Sequence, residues 1–125
     1  MITATGQGAT LMTVISNGVH QLVADAPVAK GGEGAGFGAH QLLEASLAAC
    51  ISMAVRMDAA ARGLALDAVT VTVSLSRPDE KTTRFEYQLT VTGDLTDADR
   101  AGLDYAAQQC PVRSTLSKRL EFAPS

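Results

Sequence analysis

The pattern of apolar and polar positions divides the first third of the chain into a two-stranded segment and a loop. Residues 9–24 hold two short apolar runs, LMTVIS and VHQLVA, separated by Asn17-Gly18. Both turn positions tolerate positive φ, so the pattern predicts a β-hairpin. Pro27 ends the second strand, and residues 30–38, KGGEGAGFG, contain five glycines. This composition predicts a mobile loop whose sequence fixes no backbone geometry of its own.

The apolar pattern then changes to that of a long helix. From about Ala39 to Ala61, apolar side chains occupy nearly every helical direction, and Gly63 is a natural αL cap. We expect a core helix that is covered on most of its sides and carries Cys50 near its middle. Two serines interrupt the apolar run, so it falls short of the roughly 20 apolar residues that span a membrane.

Strict alternation of apolar and polar residues marks the next part of the chain. It runs over residues 69–75 and again over 85–91, and the polar turn 77–81 joins the two segments. This pattern predicts a second hairpin with one buried face, which would cover the long helix. Thr96 can then N-cap a helix that ends near Gln109. The chain is therefore expected to have an α+β fold, with antiparallel sheets packed around a long central helix.

Length and charge narrow the possible classes of protein. A chain of 125 residues is expected to form a single domain, residues 1–125. The net charge is −3 and the basic residues are scattered, so we expect no nucleic-acid partner. The N-terminus lacks the features of a signal peptide, which predicts a reducing, cytoplasmic location. Two cysteines and two histidines fall short of a structural zinc site, and we expect neither a metal nor a cofactor.

The two cysteines are the candidate reactive groups. Cys110-Pro111 precedes VRSTLSKRL, and proline at the first helical position would make Cys110 the N-cap of a last short helix. A sulfur there faces unsatisfied amides, and Arg113 adds positive charge, which favours a thiolate. Cys50 alone is compatible with an ordinary apolar core position, and Cys110 alone with a residue that fills a bend between helices. Together, one thiol can attack a peroxide O–O bond and become a sulfenic acid, which the other captures as a disulfide.

These motifs resemble those of the OsmC and Ohr proteins, organic hydroperoxide reductases. The resemblance rests on the glycine-rich loop leading into HQLLEASLAAC, its continuation ISMAVRM, and the later CPVRSTL, and it extends from about Asn17 to the end. It implies an OsmC-like fold and an intertwined homodimer with β-sheets packed on two central helices. It also implies that Cys50 is the peroxidatic cysteine and Cys110 the resolving one. The apolar long helix independently favours an obligate homodimer, because two hairpins supply too little cover.

The chain departs from this family at the residues that activate the thiolate. The family's peroxidases carry a Glu ten residues before the first cysteine, where this chain has His40, and an N-terminal Arg, whereas the first Arg here is Arg56. Ten helical residues span about 15 Å, so His40 would have to act on Cys50 from the partner chain. The candidates for activation are His40, Arg56 and Arg113, and we expect activation to be weak.

Three functions follow from these residues. The first is reduction of organic hydroperoxides driven by an external dithiol, with the substrate in an apolar pocket near Cys50 at the dimer interface. Phe37, Leu47 and Met53 are expected to line that pocket. The second is a protein that holds a small apolar ligand without turnover, which the missing Arg and Glu favour. The third is a thiol redox sensor in which Cys50 and Cys110 change state without efficient catalysis.

Overall fold

The computed structural model describes all 125 residues, which form two compact units, Met1–Leu43 and Glu44–Ser125. The fold is α+β, with antiparallel sheets and a long central helix. That helix begins in the first unit and continues through the second. In chain order the elements are β1 (Thr3–Gly6), β2 (Thr13–Ser16), β3 (Gln21–Ala24), α1 (Ala39–Ala61), β4 (Ala65–Asp79), β5 (Thr82–Asp94), α2 (Asp97–Gln108) and α3 (Pro111–Leu116).

The first unit is built on an antiparallel sheet in the order β1-β2-β3. The predicted hairpin is confirmed as β2 and β3, which turn at Asn17-Gly18. The Asn17 side chain accepts hydrogen bonds from the amides of Val19 and His20, at 2.9 and 2.7 Å, and Gly18 has a φ of 93°. Strand β1 was not predicted, because its sequence TATG has no apolar alternation and all four of its residues are exposed.

One buried carboxylate organises the glycine-rich loop of this unit. The Asp25 side chain accepts hydrogen bonds from the amides of Ala26, Glu33 and Ala35, at 2.8, 3.1 and 3.1 Å. Gly32 passes so close to the Ala26 carbonyl that a Cβ there would collide with it. The loop therefore has a defined backbone, and the expectation that it has no geometry of its own is wrong.

The second unit packs α1 against the two-stranded sheet of β4 and β5. One stripe of α1 is fully buried, with a residue at every fourth position, and two positions of α2 together with the N-cap of α3 complete the core. The fully buried residues are Leu47, Ile51, Val55, Ala59, Leu103, Ala107 and Cys110. Met53 and Met57 on α1 are exposed, by 55% and 72%. One chain therefore leaves part of α1 uncovered, which is consistent with the expectation that two hairpins supply too little cover, and the fuller cover expected in a dimer stays a prediction.

The sheet covers α1 with the face that the alternation predicted. Val69 pairs with Val91 and Val73 pairs with Tyr87, and these side chains pack against the core. The strands are longer than expected, because pairing continues through polar residues until a turn of only Glu80-Lys81. The extensions towards the turn carry no apolar face, so the periodicity did not reveal them. At the other end Leu66 packs against the core, but a register shift between Leu66 and Ala68 interrupts the alternation.

Helices α2 and α3 both begin at the capping residues that the sequence predicted. The Thr96 hydroxyl accepts from the Asp99 amide and the Asp99 carboxylate accepts from the Thr96 amide, both at 3.0 Å, which completes a capping box. Cys110 is the N-cap of α3, with Pro111 at the first helical position. None of the helices has both the length and the apolarity needed to cross a bilayer.

The Asp25 cluster generates a prediction about the loop. The pKa of Asp25 is lowered, chiefly by the Ala35 amide and further by those of Glu33 and Ala26, against the opposing effect of burial. A lowered pKa means that the carboxylate stabilises the fold above its ordinary pKa of about 4 and loses that effect as the pH falls through the lowered value. Asp25→Asn should therefore reduce hydrogen-exchange protection of the Glu33 and Ala35 amides at pH 7.

The difference from wild type should shrink as the pH falls below about 4, because protonated Asp25 resembles Asn. NMR protection factors at both pH values measure this effect. Glu33→Gln, which neutralises an exposed carboxylate of the same loop, is the matched control and should leave protection unchanged. Equal protection in Asp25→Asn and wild type at pH 7 would contradict the role of Asp25.

Candidate active site

The start of α3 positions both sulfur atoms. Proline at the first helical position has no amide hydrogen, so the first free donors of this helix are the amides of Val112 and Arg113. The Val112 amide donates to Cys50 Sγ at 3.5 Å, and the Arg113 amide donates to Cys110 Sγ at 3.4 Å. Two successive amides thus bring together two thiols that are distant in the sequence.

The two thiols have different environments. Cys110 is fully buried, whereas Cys50 is half-buried. Burial raises the pKa of the Cys110 thiol, the Arg113 amide acts in the opposite direction, and the hydrogen bond and charge of the nearby Cys50 side chain raise it further. The Val112 amide also lowers it slightly. Cys110 therefore remains a protonated thiol at neutral pH, and the expectation that its place at a helix start favours a thiolate is wrong, because burial outweighs the amides. Cys50 is the sulfur that an external reactant can reach.

A cavity of about 500 Å³ opens beside Cys50. Its walls come from α1, from α2 and from Pro111, and most of them are apolar. Besides Cys50, the lining residues are Met53, Ala54, Met57, Asp58, Tyr105, Ala106, Gln109 and Pro111. The α1 members follow Cys50 at intervals of three, four, seven and eight residues, which is the spacing of one helical face. Sequence reasoning named only Met53 among them, although that spacing was a signal that could have identified the others.

The other two residues expected in the pocket, Leu47 and Phe37, have different environments. Leu47 belongs to the core and is only 3% exposed, so it does not line the cavity. Phe37 belongs to the first unit, where its backbone bonds to Val23 and Asp25 and its side chain is 54% exposed. The expectation that Leu47 lines this cavity is therefore wrong, and the role expected of Phe37 in a pocket at the dimer interface stays a prediction.

The three candidate activating side chains are placed differently from one another. The Arg113 guanidinium donates to the Gln108 carbonyl at 2.7 Å, so its charge lies at the C-terminal end of α2. Arg56 is exposed on α1. His40 lines a cavity of about 650 Å³ in the first unit, together with Asp25 and other residues. The hydrogen bonds to the two sulfurs from α3 come from backbone amides.

This arrangement supports thiol chemistry. An accessible sulfur with an amide donor can act as a nucleophile, and a protonated thiol beside it can capture the oxidised product. The apolar cavity can hold an organic molecule next to the reactive sulfur. No group of three or more His, Cys, Asp or Glu side chains is arranged to hold a metal ion.

Comparison with solved structures identifies similar folds. A protein from Psychrobacter arcticus 273-4, described as an osmotic stress induced and detoxification response protein, has a TM-score of 0.77 at 24% identity, over 91% of this chain and 85% of that one. An organic hydroperoxide resistance protein OsmC from Legionella pneumophila has a TM-score of 0.66 at 27% identity, over 94% and 88%. The organic hydroperoxide resistance protein OhrB of Bacillus subtilis has a TM-score of 0.63 at 26% identity, over 94% and 89%.

No curated protein matches the sequence. The family described as OsmC-like protein does match, over residues 31–124, which include the glycine-rich loop, both cysteines and every element from α1 onward. The chain therefore belongs to the OsmC-like protein family.

Proposed function

We propose that this protein reduces organic hydroperoxides, with Cys50 as the peroxidatic cysteine and Cys110 as the resolving cysteine. The observation that carries the proposal is the pair of amides at the start of α3, which hold the two sulfurs side by side. The names of the Legionella and Bacillus proteins, both organic hydroperoxide resistance proteins, support it at the level of the family.

The reaction requires three steps. The Cys50 thiolate attacks the O–O bond of the hydroperoxide, which yields a Cys50 sulfenic acid and, after uptake of one proton, an alcohol. The Cys110 thiol then attacks the sulfenic sulfur, which forms a Cys50–Cys110 disulfide and releases water. An external dithiol reduces this disulfide to two thiols and is itself oxidised to a disulfide. We propose that the protein works in the cytoplasm, where such reductants are maintained.

The exposed apolar side chains around the cavity favour a homodimer. Met53, Met57 and Tyr105 are all more than half exposed on one chain, although they line an apolar cavity. A two-stranded sheet with a single helix layer is also a small core for a stable unit. We propose that a second copy covers this side of α1 and closes the cavity, which remains the substrate pocket.

A second candidate function is the binding of a small apolar ligand, or redox sensing, without efficient turnover. It is favoured by the source of the hydrogen bonds to the two sulfurs, which are backbone amides of α3 rather than cationic side chains. Amides support a thiolate less strongly than a neighbouring arginine does. Measurement of turnover separates the two candidates.

The first prediction is dithiol-dependent consumption of cumene hydroperoxide. Wild type should show multiple turnovers, and Cys50→Ser should show none, because it lacks the nucleophile. Cys110→Ser should consume about one equivalent and then slow, since Cys110 is needed to form the disulfide. Consumption is followed by loss of peroxide against dithiol oxidised. Equal rates in wild type and Cys50→Ser would contradict the proposal, and absence of turnover in wild type would favour ligand binding or redox sensing.

The second prediction concerns the oxidised product. One equivalent of peroxide without reductant should convert wild type to a form that has lost two hydrogens, through an intramolecular Cys50–Cys110 bond. Intact-mass spectrometry and peptide mapping identify the link. Cys110→Ser should instead accumulate oxygen on Cys50. Sulfinic acid on Cys50 of the wild type, with Cys110 still free, would show that Cys110 does not resolve.

The third prediction concerns assembly. Sedimentation equilibrium at micromolar concentration should give about twice the chain mass of 12.9 kDa. Met57→Lys should shift the equilibrium towards monomer, because it places a charge in the face of α1 that the second copy covers. Thr72→Lys, on the exposed polar face of β4, is the matched control and should remain a dimer. A folded wild-type monomer under these conditions would contradict the dimer.

A further inference from the structure

One of the residues that line the cavity beside Cys50 carries a carboxylate. Asp58 lies about two helical turns beyond Cys50 on the same face of α1, which corresponds to about 12 Å along the helix axis, and both residues line the cavity. Met53, Ala54 and Met57 form the apolar wall between them. A molecule that fills the cavity therefore meets the Cys50 thiol and, about two turns along α1, the carboxylate of Asp58.

Arg62 fixes the orientation of this carboxylate. Its Nε and Nη2 lie 2.9 and 2.7 Å from Asp58, and both contacts are to the same oxygen, Oδ2. Oδ1 thus keeps its lone pairs for another donor. About a third of the Asp58 side chain is accessible, so a ligand in the cavity can reach it.

Gly102 of α2 makes room for the Arg62 guanidinium. A Cβ at position 102 would lie 2.6 to 2.9 Å from Nη1, Nη2 and Cζ of Arg62. Glycine inside a helix is less favourable than alanine, and this close approach gives its presence in α2 a structural reason. Arg62 is thereby confined between α1 and α2, and Asp58 is confined with it.

We propose that the cavity selects an extended apolar molecule whose far end carries a hydrogen-bond donor, either an amine or an alcohol. Oδ1 of Asp58 accepts the hydrogen bond from that donor. A ligand that ends in a carboxylate is disfavoured, because its charge would face that of Asp58. Arg62 acts as a positioning residue that holds Asp58 in place. The inference rests on the proposed function in taking this cavity as the substrate site.

The test measures binding without turnover. Octylamine, octanol and octanoate share one apolar chain and differ at the end group, and isothermal titration calorimetry with the reduced protein gives their dissociation constants. Wild type should bind octylamine about tenfold more tightly than octanoate, with octanol between them. Asp58→Asn should abolish or reverse this order, because Arg62 then becomes available to a carboxylate.

Asp104→Asn is the matched control, since it removes one charge from an exposed position of α2 outside the cavity, and it should keep the wild-type order. Thermal unfolding midpoints confirm that each variant is folded. Equal affinities of wild type for the three probes, or an unchanged order in Asp58→Asn, would overturn the selectivity. Because no peroxide is present, failure of the proposed reductase activity would leave this result intact.

Gly102→Ala tests the positioning role of Arg62 separately. The added methyl group displaces the Arg62 guanidinium, which should weaken the selectivity. Alanine favours the helix, so the thermal stability should not decrease. We expect an unchanged or higher unfolding midpoint together with a weaker preference for octylamine over octanoate. If Arg62 has only a structural role, the unfolding midpoint should change while the preference for octylamine stays the same. An unchanged preference would therefore contradict the positioning role of Arg62.

Discussion

The geometry of the site depends on the bend between α2 and α3. The first amides of any helix have no partner inside the helix, and Pro111 removes the first of these donors at α3. The next two amides donate to sulfur atoms. The Val112 amide donates to Cys50 Sγ on α1, and the Arg113 amide donates to Cys110 Sγ in the bend itself. An unsatisfied helix end, which would otherwise cost stability, thus becomes the device that holds two thiols together. The short helix contributes its backbone rather than its side chains.

Core packing determines which thiol is accessible. The buried stripe of α1 passes through Ile51, and the buried positions of α2 are followed directly by Cys110, so the second thiol is a core residue. Cys50 lies beside the stripe, where the cover of the sheet gives way to the cavity. The same packing that excludes water from Cys110 raises its pKa and keeps it protonated. One sulfur is therefore suited to meet a substrate, and the other to react after the first has been oxidised.

Much of this fold could be predicted because local signals and tertiary packing agree. The hairpin at Asn17-Gly18, the bounds of α1 and the cap at Cys110 are each set by residues within a few positions. Contacts between distant residues could not be predicted in this way. Asp25 bonds to amides eight and ten residues away, and nothing in the local pattern marks that carboxylate as buried.

The candidate site shows the same division. Both cysteines were identified, because a thiol at a helix start and a thiol on a core helix are local features. Leu47 was misplaced because α1 is apolar in nearly every direction, so the pattern did not show which stripe meets the sheet. The Val112 amide was missed because backbone donors have no sequence signature beyond the helix start itself.

The most direct test of the central claim removes the Val112 hydrogen-bond donor alone. Semisynthesis can replace the Val112 amide with an ester. The background is a Cys110→Ser chain, whose only thiol is Cys50, and the measurement is the rate at which iodoacetamide alkylates Cys50 at pH 7. Loss of a hydrogen bond worth about 1 kcal/mol predicts that the reaction slows by about fivefold. The same ester at Arg113, whose amide serves position 110, should leave the rate unchanged. Equal rates in the Val112 ester and the all-amide chain would contradict the account.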